Sequence, residues 1–520
     1  MERLTSEKIS SEEVGILDNN AEWLGIPKAH LMECAGYSFA TDIIQRYSLD
    51  ERSKVLIFCG TGNNGGDGFV IARHLSAFGI HSKILLMGTP KSIRSEEALL
   101  NWNIISKSLT HSIKTETVRD STDIVQLGIL LDQKKESYKL IIDGLLGTGI
   151  QGKVREPYAT AIEFIDEIKE QKDIPVVSID VPSGLNPNTG KVEDIAVKAD
   201  LVITFHRNKL GMEIDGNYIR DIVVKSIGIP EEASLFLGRG NLLPSLKSRK
   251  TDFHKGQFGR MLVIGGSKFY SGAPAYSSLT GINFGIDLVI TYTPQVIADV
   301  LRTYSPNMIV RSNPGDWLTM DAFEEISSLV DWANAILIGP GLGEEKETEE
   351  LLIKLLKKFR KEEKSFVLDA DALKLIKNHH DLVKGQKCIL TPHEGELKIM
   401  SEIDLPPFDD VSGRGKKIHN LAKNLDLTLL VKGPYDYISN GKILKLNRTG
   451  CPEMAIGGTG DVLAGLCTSF LATIKNRFDS ACAAAFLNGY LGEYIKEIIG
   501  PRFTALDMIE NINDSIQSLL

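Results

Sequence analysis

The sequence predicts an α/β protein of two domains, and three observations support this prediction. The chain has 520 residues, which is too long for a single hydrophobic core. Short apolar strands alternate with helical patterns along most of its length. The pattern loosens between about residues 228 and 245, where the chain becomes polar and basic. We therefore expect one domain over residues 1–228 and a second over residues 240–520.

Composition and charge argue against several classes of protein. Hydrophobic residues make up 42% of the chain and charged residues 24%, as in ordinary globular proteins. The net charge is −9 and no basic tract occurs, so we expect no nucleic-acid partner. The six cysteines include no CxxC pair, and we find no apolar leader and no run of about 20 apolar residues. We expect a cytoplasmic protein with reduced thiols and no membrane partner.

Two helices are predicted first. Apolar residues recur at spacings of three and four across residues 12–46, with Pro27 in the first turn of the second helix. Within that helix, the segment Leu31–Gly36 is rich in small residues, which suits close packing or an interface. On this basis we expect a homo-oligomer.

A buried strand, Lys54–Gly60, leads into a glycine-rich loop and then into a helix predicted over Phe69–Phe78. The loop, residues 60–68, matches GxGxxG and has the position of a dinucleotide or phosphate loop. However, no acidic residue follows the next strand to bind a ribose. The loop instead contributes side-chain oxygens, which suit a cation better, from Asn63, Asn64 and Asp67.

Two further predicted strands end in aspartate, Lys139–Asp143 and Pro175–Asp180, and each leads into a turn with glycine. The carboxyl ends of parallel strands converge on one crevice, so we expect Asp143 and Asp180 beside the glycine-rich loop. An aspartate at a strand end can also serve only as a turn former or a helix cap. Two such residues, each before a turn, favour a site.

Three segments, Asn63–Gly68, Asp143–Gly149 and Asp180–Gly184, resemble the signature loops of the NAD(P)HX epimerase domain (the YjeF N-terminal type) over roughly residues 10–225. This resemblance implies a Rossmann-like three-layer domain and a potassium ion bound by Asn64, Asp143 and Ser183. It also implies that hydrated NADH or NADPH contacts Asn63, Asn64, Gly65, Gly66, Asp67, Gly147, Thr148, Gly149, Ile150, Gln151, Gly152, Lys153 and Asp180.

Epimerisation exchanges the configuration at the carbon that bears the new hydroxyl. It requires a carboxylate near the nicotinamide, and we expect Asp180 to be this catalytic group. Two roles stay open for it, namely proton transfer and stabilisation of a ring-opened or cationic intermediate.

The second half repeats one pattern, in which a hydrophobic strand ends in small or polar residues and a helical pattern follows. These strands and turns occupy residues 259–265, 287–292, 335–343, 364–372, 387–396 and 427–434. They predict a second α/β sheet with a crevice at its strand ends. His393 stands between Thr-Pro and two acidic residues, so we expect it in the site and not as a satisfied core histidine.

Another glycine motif, Gly457–Gly460, precedes an apolar helical pattern. Free N–H groups at a helix start, together with the positive end of the helix dipole, bind anions. Asp461 would repel a resting phosphate there. As a base, it could take the proton of a hydroxyl while the amides hold the phosphoryl group in transfer. The alternative is an N-cap aspartate on an ordinary buried helix.

The second half resembles the ribokinase-like ADP/ATP-dependent NAD(P)H-hydrate dehydratase family over about residues 240–515. The matching segments are Gly272-Ala273, Gly339–Gly343, Asp369–Ala372, Thr391–Glu396, Val431–Gly433 and Gly457–Asp461. The resemblance implies hydrate contacts at Ala273, Gly341, His393 and Asp461. It implies nucleotide contacts at Lys432, Gly433, Pro434, Tyr435, Asp436 and Gly460. One departure is that the family usually has small residues and a threonine after Lys-Gly. Here Pro434 removes a donor and Asp436 adds repulsion near a polyphosphate.

Together the two resemblances imply a bifunctional repair enzyme. The first domain would interconvert the R and S forms of hydrated NAD(P)H. The second would phosphorylate the hydroxyl of the S form from ADP or ATP with Mg²⁺, and would let the phosphate leave. Asp461 would be the base. Two rival functions are a ribokinase-like small-molecule kinase, which would release a stable phosphorylated product, and a non-catalytic nucleotide-binding protein.

Overall fold

The protein is described here by a computed structural model that covers residues 8–133, 137–150, 152–249, 251 and 253–520. The chain divides between Glu231 and Glu232 into two compact units. Each unit contains one large, mainly parallel sheet with helices, so the predicted α/β class is confirmed. Among the described helices, none is both long and apolar enough to span a membrane.

The first unit is built on seven parallel strands in the order β4-β3-β2-β5-β6-β7-β9, and β1 pairs separately with β8. Its elements are β1 (Lys8–Ile9), α1 (Ser11–Trp23), α2 (Lys28–Arg46), β2 (Lys54–Cys59), α3 (Asn63–Ala77), β3 (His81–Met87), α4 (Glu96–Ser108), β4 (Ile113–Val118), α5 (Ser121–Gln133), β5 (Leu140–Gly144), α6 (Tyr158–Lys172), β6 (Val176–Ile179), β7 (Leu201–Phe205), β8 (Asn208–Lys209) and β9 (Ile222–Lys225). The strand order reverses between β2 and β5, which opens a crevice at the carboxyl ends of these strands.

Alternate residues of β2 enter two different cores, because successive side chains of a strand point to opposite faces. Ile57 and Cys59 pack with α2, α3 and α4, whereas Leu56 and Phe58 pack with α5 and α6. The sheet is therefore buried on both sides, which explains why its strands read as continuous apolar runs.

Helix α3 begins at Asn63, so the prediction of a loop followed by a helix from Phe69 was wrong. The glycines of this segment form helix and allow close approach. A Cβ on Gly65 would lie 1.9 Å from the Gly60 carbonyl oxygen, and one on Gly66 would lie 2.7 Å from Met32. Tertiary packing thus overrides the poor helix propensity of glycine.

The small residues of Leu31–Gly36 have a role inside the unit. Leu31, Met32, Ala35 and Gly36 are buried, and a Cβ on Gly36 would lie 2.4 Å from Val70 of α3. Close packing of α2 on α3 accounts for this composition without a second subunit. The homo-oligomer stays a prediction.

The second unit is built on nine strands in the order β12-β11-β10-β13-β14-β15-β16-β17-β18, all parallel except for β17 and β18. Its elements are α7 (Glu231–Leu235), α8 (Arg239–Leu242), β10 (Arg260–Ile264), α9 (Gly272–Phe284), β11 (Leu288–Pro294), α10 (Gln295–Tyr304), β12 (Ile309–Asn313), α11 (Phe323–Trp332), β13 (Ala335–Ile338), α12 (Lys346–Glu362), β14 (Phe366–Leu368), α13 (Asp371–Leu375), α14 (His380–Val383), β15 (Cys388–Leu390), α15 (Glu394–Ser401), α16 (Val411–Leu425), β16 (Thr428–Val431), β17 (Asp436–Ser439), β18 (Leu444–Asn447), α17 (Thr459–Ile474), α18 (Arg477–Ile499), α19 (Ala505–Glu510) and α20 (Ile512–Leu519).

Helix α17 is fixed by close contact with α9. A Cβ on Gly465 would come within 2.8 Å of Thr280, and the Ser277 hydroxyl donates a hydrogen bond to the Asp461 carbonyl oxygen at 3.0 Å. The helix begins at Thr459, so two residues that we expected before it, Thr459 and Gly460, belong to its first turn. The contact with α9 therefore sets the position of that turn.

Candidate active sites

The first unit contains a cavity of about 550 Å³ at the carboxyl ends of β2, β5, β6 and β7. The residues predicted from the sequence that line it are Asn63, Asn64, Asp67, Gly147, Thr148, Gly149, Ile150 and Asp180. Gly65 and Gly66 lie in the packed part of α3 and do not line it. Gly152 and Lys153 also lie outside its lining, and Gln151 falls outside the described residues.

Asp143 is buried at the end of β5, where four donors surround its carboxylate. The Ser178 and Ser183 hydroxyls and the N–H groups of Leu145 and Ser183 donate to it at 2.5–3.2 Å. Burial raises the pKa of Asp143, and the hydrogen bonds from Ser183 counter this rise in part. The carboxylate thus ties the loop after β6 to the end of β5.

Asn64 joins this group through Leu146. Its side-chain N–H donates to the Leu146 carbonyl at 3.0 Å, and the Leu146 N–H donates to Ser183 Oγ at 2.9 Å. Among the described residues, no donor contacts Asn64 Oδ1. Amide, hydroxyl and carboxylate oxygens are ligands of hard cations, so this set fits the potassium ion implied by the sequence.

Asp180 follows β6 with a left-handed backbone, φ +63°, a conformation that non-glycine residues seldom adopt. Its Oδ1 accepts hydrogen bonds from the Thr204 hydroxyl at 2.9 Å and the Phe205 N–H at 3.0 Å, and it forms an ion pair with Lys209. Lys209 is itself buried, with an exposed side-chain fraction of 1%. A charged lysine in such a place requires an anionic partner, and Asp180 supplies it.

Two other carboxyl groups line the same cavity, those of Asp67 in α3 and Asp18 in α1. Burial and the negative charges of Asp180 and Asp18 raise the pKa of Asp67 well above its usual range. Burial, with the charge of Asp180, raises the pKa of Asp18 to about 6. The cavity therefore holds one carboxyl group that is paired with a lysine, Asp180, and two whose pKa is raised by burial and nearby negative charge, Asp18 and Asp67.

Sequence reasoning missed Asp18, His206 and Lys209. Two of them follow β7, whose carboxyl end lies at the same edge as those of β5 and β6. The signal was present, because Leu201–Phe205 is apolar except for Thr204 and leads into polar residues. Asp18 lies on a helix far along the chain from these strands, and no local pattern points to it.

In the second unit, Asp461 lies in the first turn of α17, whose N-cap position is taken by Gly458. Among the described residues, no donor contacts the Asp461 carboxyl, so the residue does not cap its own helix. The N–H groups of Thr459 and Gly460 precede the first intrahelical bond and are available to an anion.

The side chain of Asp461 faces a buried group of charges. Lys432 Nζ lies 2.9 Å from Asp369 Oδ1 and 3.7 Å from Glu396 Oε2. Burial raises the pKa of Asp461 to about 8, and Asp369 adds to the rise while Lys432 opposes it. Although burial disfavours its charge, Asp369 and Glu396 raise the pKa of Lys432. The Lys432 ammonium therefore balances the negative charges of Asp369 and Glu396.

Ala370, between Asp369 and the start of α13, has φ +51° and ψ −124°, a strained conformation for alanine. Asp369 and Asp371 directly precede and follow this residue. Asp371 accepts a hydrogen bond from the Gly343 N–H at 2.9 Å. Such outliers concentrate at functional sites.

The residues predicted to contact the hydrate differ in their surroundings. Ala273 and Gly341 lie together, since a Cβ on Gly341 would be 3.4 Å from the Ala273 Cβ. The ring of His393 is 59% exposed, and its Nδ1 accepts hydrogen bonds from the Gly395 and Glu396 N–H groups as the N-cap of α15. His393 thus has a structural role whether or not it also contacts a ligand.

The predicted nucleotide residues lie at the turn between β16 and β17. Lys432 points towards Gly460, where a Cβ would lie 3.6 Å from its Nζ, and residues 433–435 are exposed. The Asp436 carboxyl accepts hydrogen bonds from the Gly433 N–H at 3.2 Å and from Asn447 at 3.0 Å, and burial raises its pKa to about 6. The Gly433 N–H is therefore already hydrogen-bonded to Asp436 and is not available to a ligand.

Within the described ranges, no three His, Cys, Asp or Glu side chains are grouped so that they could hold a metal ion. Mg²⁺ commonly binds through one or two carboxylates together with substrate phosphates. The carboxyl groups near Asp461 suit that partial role, and a nucleotide would supply the remaining oxygens.

Comparison with known proteins agrees with this arrangement. One family model, described as YjeF-related protein N-terminus, matches residues 28–211, and another, described as NAD(P)H-hydrate dehydratase, matches residues 261–514. The bifunctional NAD(P)H-hydrate repair enzyme Nnr of Methanothermobacter thermautotrophicus is 41% identical and covers 95% of this chain and 92% of its own length. The protein of that name from Pyrobaculum aerophilum is 38% identical and covers 97% of each chain.

Among solved structures, the ADP/ATP-dependent NAD(P)H-hydrate dehydratase of Bacillus subtilis, co-crystallized with ATP/Mg²⁺, covers 55% of this chain and 99% of its own. It is 22% identical, with a TM-score of 0.46. The two full-length relatives carry the assignment, because their identity extends over both units. The chain belongs to the family of bifunctional NAD(P)H-hydrate repair enzymes.

Proposed function

We infer that this chain repairs hydrated NADH and NADPH with two activities. The first unit interconverts the R and S hydrates, and the second dehydrates the S hydrate with ADP or ATP. We assign these activities to residues 1–228 and 240–520. The observation that carries the chemistry is Asp461, a carboxyl with a raised pKa beside free helix N–H groups that does not cap its helix.

In the second unit, the difficulty is that hydroxide leaves poorly while phosphate leaves well. Asp461 takes the proton of the substrate hydroxyl, and the N–H groups of Thr459 and Gly460 stabilise the phosphoryl group in transfer. Lys432 balances the charges of Asp369 and Glu396 beside the base. Mg²⁺, when bound with the nucleotide, neutralises phosphate charge.

For substrate contacts in this unit, we propose that Ala273, Gly341 and His393 contact the hydrate beside Asp461. We propose that residues 432–436 and Gly460 contact the nucleotide. The exposure of residues 433–435 and the approach of Lys432 to Gly460 support this assignment. Because the Gly433 N–H already donates to Asp436, the nucleotide phosphates are bound mainly by the free N–H groups at the start of α17.

In the first unit, we propose that the hydrate occupies the cavity along Asn63, Asn64, Asp67 and residues 147–150, with Asp180 as a catalytic carboxylate. Asn64, Asp143 and Ser183 would hold a potassium ion, which supplies positive charge and orders the loops. The support is the hydrogen-bonded oxygen group around Leu146. Location in the cytoplasm and the absence of a nucleic-acid or membrane partner stay predictions from composition.

One incubation tests both activities. The full chain is mixed with an equal mixture of R and S hydrates, Mg²⁺, K⁺ and either ADP or ATP, and the absorbance of reduced nicotinamide is followed. Complete conversion is expected with at least one of the nucleotides. After correction for spontaneous epimerisation, conversion of about half would show an inactive first unit. No conversion with either nucleotide would refute the proposed dehydratase, and a stable phosphorylated product would identify a kinase.

A further inference from the structure

Among the carboxyl groups that line the cavity of the first unit, Asp67 and Asp180 differ in their hydrogen bonding. Two hydrogen bonds and the Lys209 ammonium converge on Oδ1 of Asp180. Among the described residues, no donor contacts Oδ2 of Asp180. One oxygen is thus held in place while the other is free to accept a proton from a ligand.

Asp67 lies in α3 with its carboxyl at the cavity wall. None of the described residues forms a hydrogen bond with this carboxyl. Burial and the nearby charges of Asp180 and Asp18 raise its pKa, and Lys209 opposes the rise only in part. A neutral carboxyl is an O–H donor, so Asp67 has a proton to give where Asp180 has a lone pair.

Other charged side chains and one histidine also face the cavity, namely Asp18, Lys28, Arg94, Glu97, Lys209 and His206. Two of them, Lys209 and His206, are poorly suited to donate the proton. Lys209 is already engaged with Asp180, the Thr204 hydroxyl and the Phe205 carbonyl. Burial and two neighbouring cations lower the pKa of His206 to about 4, so its ring is neutral at physiological pH.

We propose that Asp67 is the general acid and Asp180 the general base of the epimerase, and that the pair opens and recloses the hydrated nicotinamide ring. This inference rests on the proposed function of the first unit. It adds a proton-donating role for Asp67.

The step balances without any other reactant. The hydrated carbon bears a hydroxyl and the ring nitrogen. Asp180 Oδ2 takes the hydroxyl proton, the oxygen forms a carbonyl, and the carbon–nitrogen bond breaks with its electron pair going to nitrogen. Asp67 gives that nitrogen a proton, which leaves an open-chain aldehyde, a neutral Asp180 and an ionised Asp67.

Rotation about the bond next to the aldehyde presents its other face. The nitrogen then attacks the carbonyl carbon, Asp67 takes back the nitrogen's proton, and Asp180 returns its proton to the oxygen. Both carboxyl groups end as they began, and only the configuration has changed. The hydroxyl oxygen stays on the same carbon throughout.

The test is the epimerase activity of full-length Asp67→Asn on the R hydrate, measured over a range of pH. We expect kcat to fall at least about 100-fold, the usual contribution of a general acid. We expect KM to change less than about threefold, because asparagine keeps the size and polarity of the side chain. In the wild-type protein the rate should fall at high pH as Asp67 loses its proton, and the residual rate of the variant should lack this fall.

Asp166→Asn is the matched control, because Asp166 lies in α6 outside the cavity. Among the described residues, the Lys198 N–H is the one hydrogen-bond donor to its carboxyl. Pulse proteolysis followed through peptides of the first unit reports that this unit is folded in each variant, and dehydration of pure S hydrate reports that the second unit is intact. Near wild-type kcat in Asp67→Asn, or an unchanged fall at high pH, would overturn the proposal.

A second measurement uses the wild-type protein and does not depend on folding of a variant. S hydrate that carries ¹⁸O in its hydroxyl is epimerised in ordinary water without nucleotide. Retention of the label in the R hydrate supports ring opening, whereas its loss at the rate of turnover overturns it. A wild-type protein that does not epimerise at all would instead refute the proposed function of the unit.

Discussion

Replacement of Asp461 by asparagine should abolish dehydration and also stabilise the second unit at neutral pH. Burial and Asp369 raise the pKa of this carboxyl from 3.8 to about 8. Between these two values, the folded state holds a proton that the unfolded state has released. The free energy of unfolding of the wild-type protein therefore falls as pH rises through this window. Asparagine is neutral in both states and removes this contribution.

The size of the effect follows from the width of the window. One pKa unit corresponds to about 1.4 kcal/mol, so the interval from pH 5 to pH 7.5 gives an upper limit of about 3.4 kcal/mol. The carboxyl retains some contact with solvent, and screening reduces this figure by about half. The stabilisation by asparagine should therefore be about 2 kcal/mol larger at pH 7.5 than at pH 5.

Urea unfolding with pulse proteolysis measures this difference, since peptides from the second unit report its unfolding separately. Asp409→Asn, at an exposed position of the same unit, is the control for the general effect on stability of removing one carboxylate. The dehydration rate should fall at least about 100-fold while epimerisation is unchanged. Equal stabilisation at both pH values would refute the electrostatic argument, and dehydration near the wild-type rate would refute the assignment of the base.

Three further predictions use the same assays. Lys432→Met leaves its carboxylate partners unpaired, so the second unit should lose about 3 kcal/mol at pH 7 along with dehydration; wild-type stability would contradict this. Gly65→Ala should destabilise the first unit by at least about 2 kcal/mol, because the new Cβ overlaps the Gly60 carbonyl oxygen. Gly62→Ala, whose Cβ meets nothing within 4 Å, should cost less than about 1 kcal/mol, the difference between glycine and alanine as an N-cap, and equal effects would refute the packing argument. K⁺ in place of Na⁺ should stabilise the first unit by about 2.7 kcal/mol at 100 times its dissociation constant, and Ser183→Ala should respond less; an equal response would count against the potassium site.

Much of the strand pattern could be predicted because both large sheets are covered on their two faces. In β2, for example, residues 55–59 form a continuous apolar run, and Gly60 follows it. The start of α3 could not be predicted in this way. Consecutive glycines favour a turn in isolation, and only the contact of Gly65 with the end of β2 shows why they form helix here.

The sites were predictable only where their residues follow strand ends. Asp143 and Ser183 meet because β5 and β6 are neighbours in a parallel sheet. Lys209 pairs with Asp180 across 29 positions of the chain, and nothing near either residue specifies that contact. The same holds for Lys432 and Asp369, which are 63 positions apart.

The cavity of the first unit is walled in part by residues that precede and follow the span of the matching family model, residues 28–211. Ile9, Val14, Leu17 and Asp18 line it on one flank, and Ile227 and Ile229 on the other. A truncated protein cut at the limits of that span would be missing these walls. Its cavity would be open to solvent, and an assay of it would give a lower activity than the intact first unit has. A fragment made to study this unit alone should therefore extend from residue 8 through residue 231.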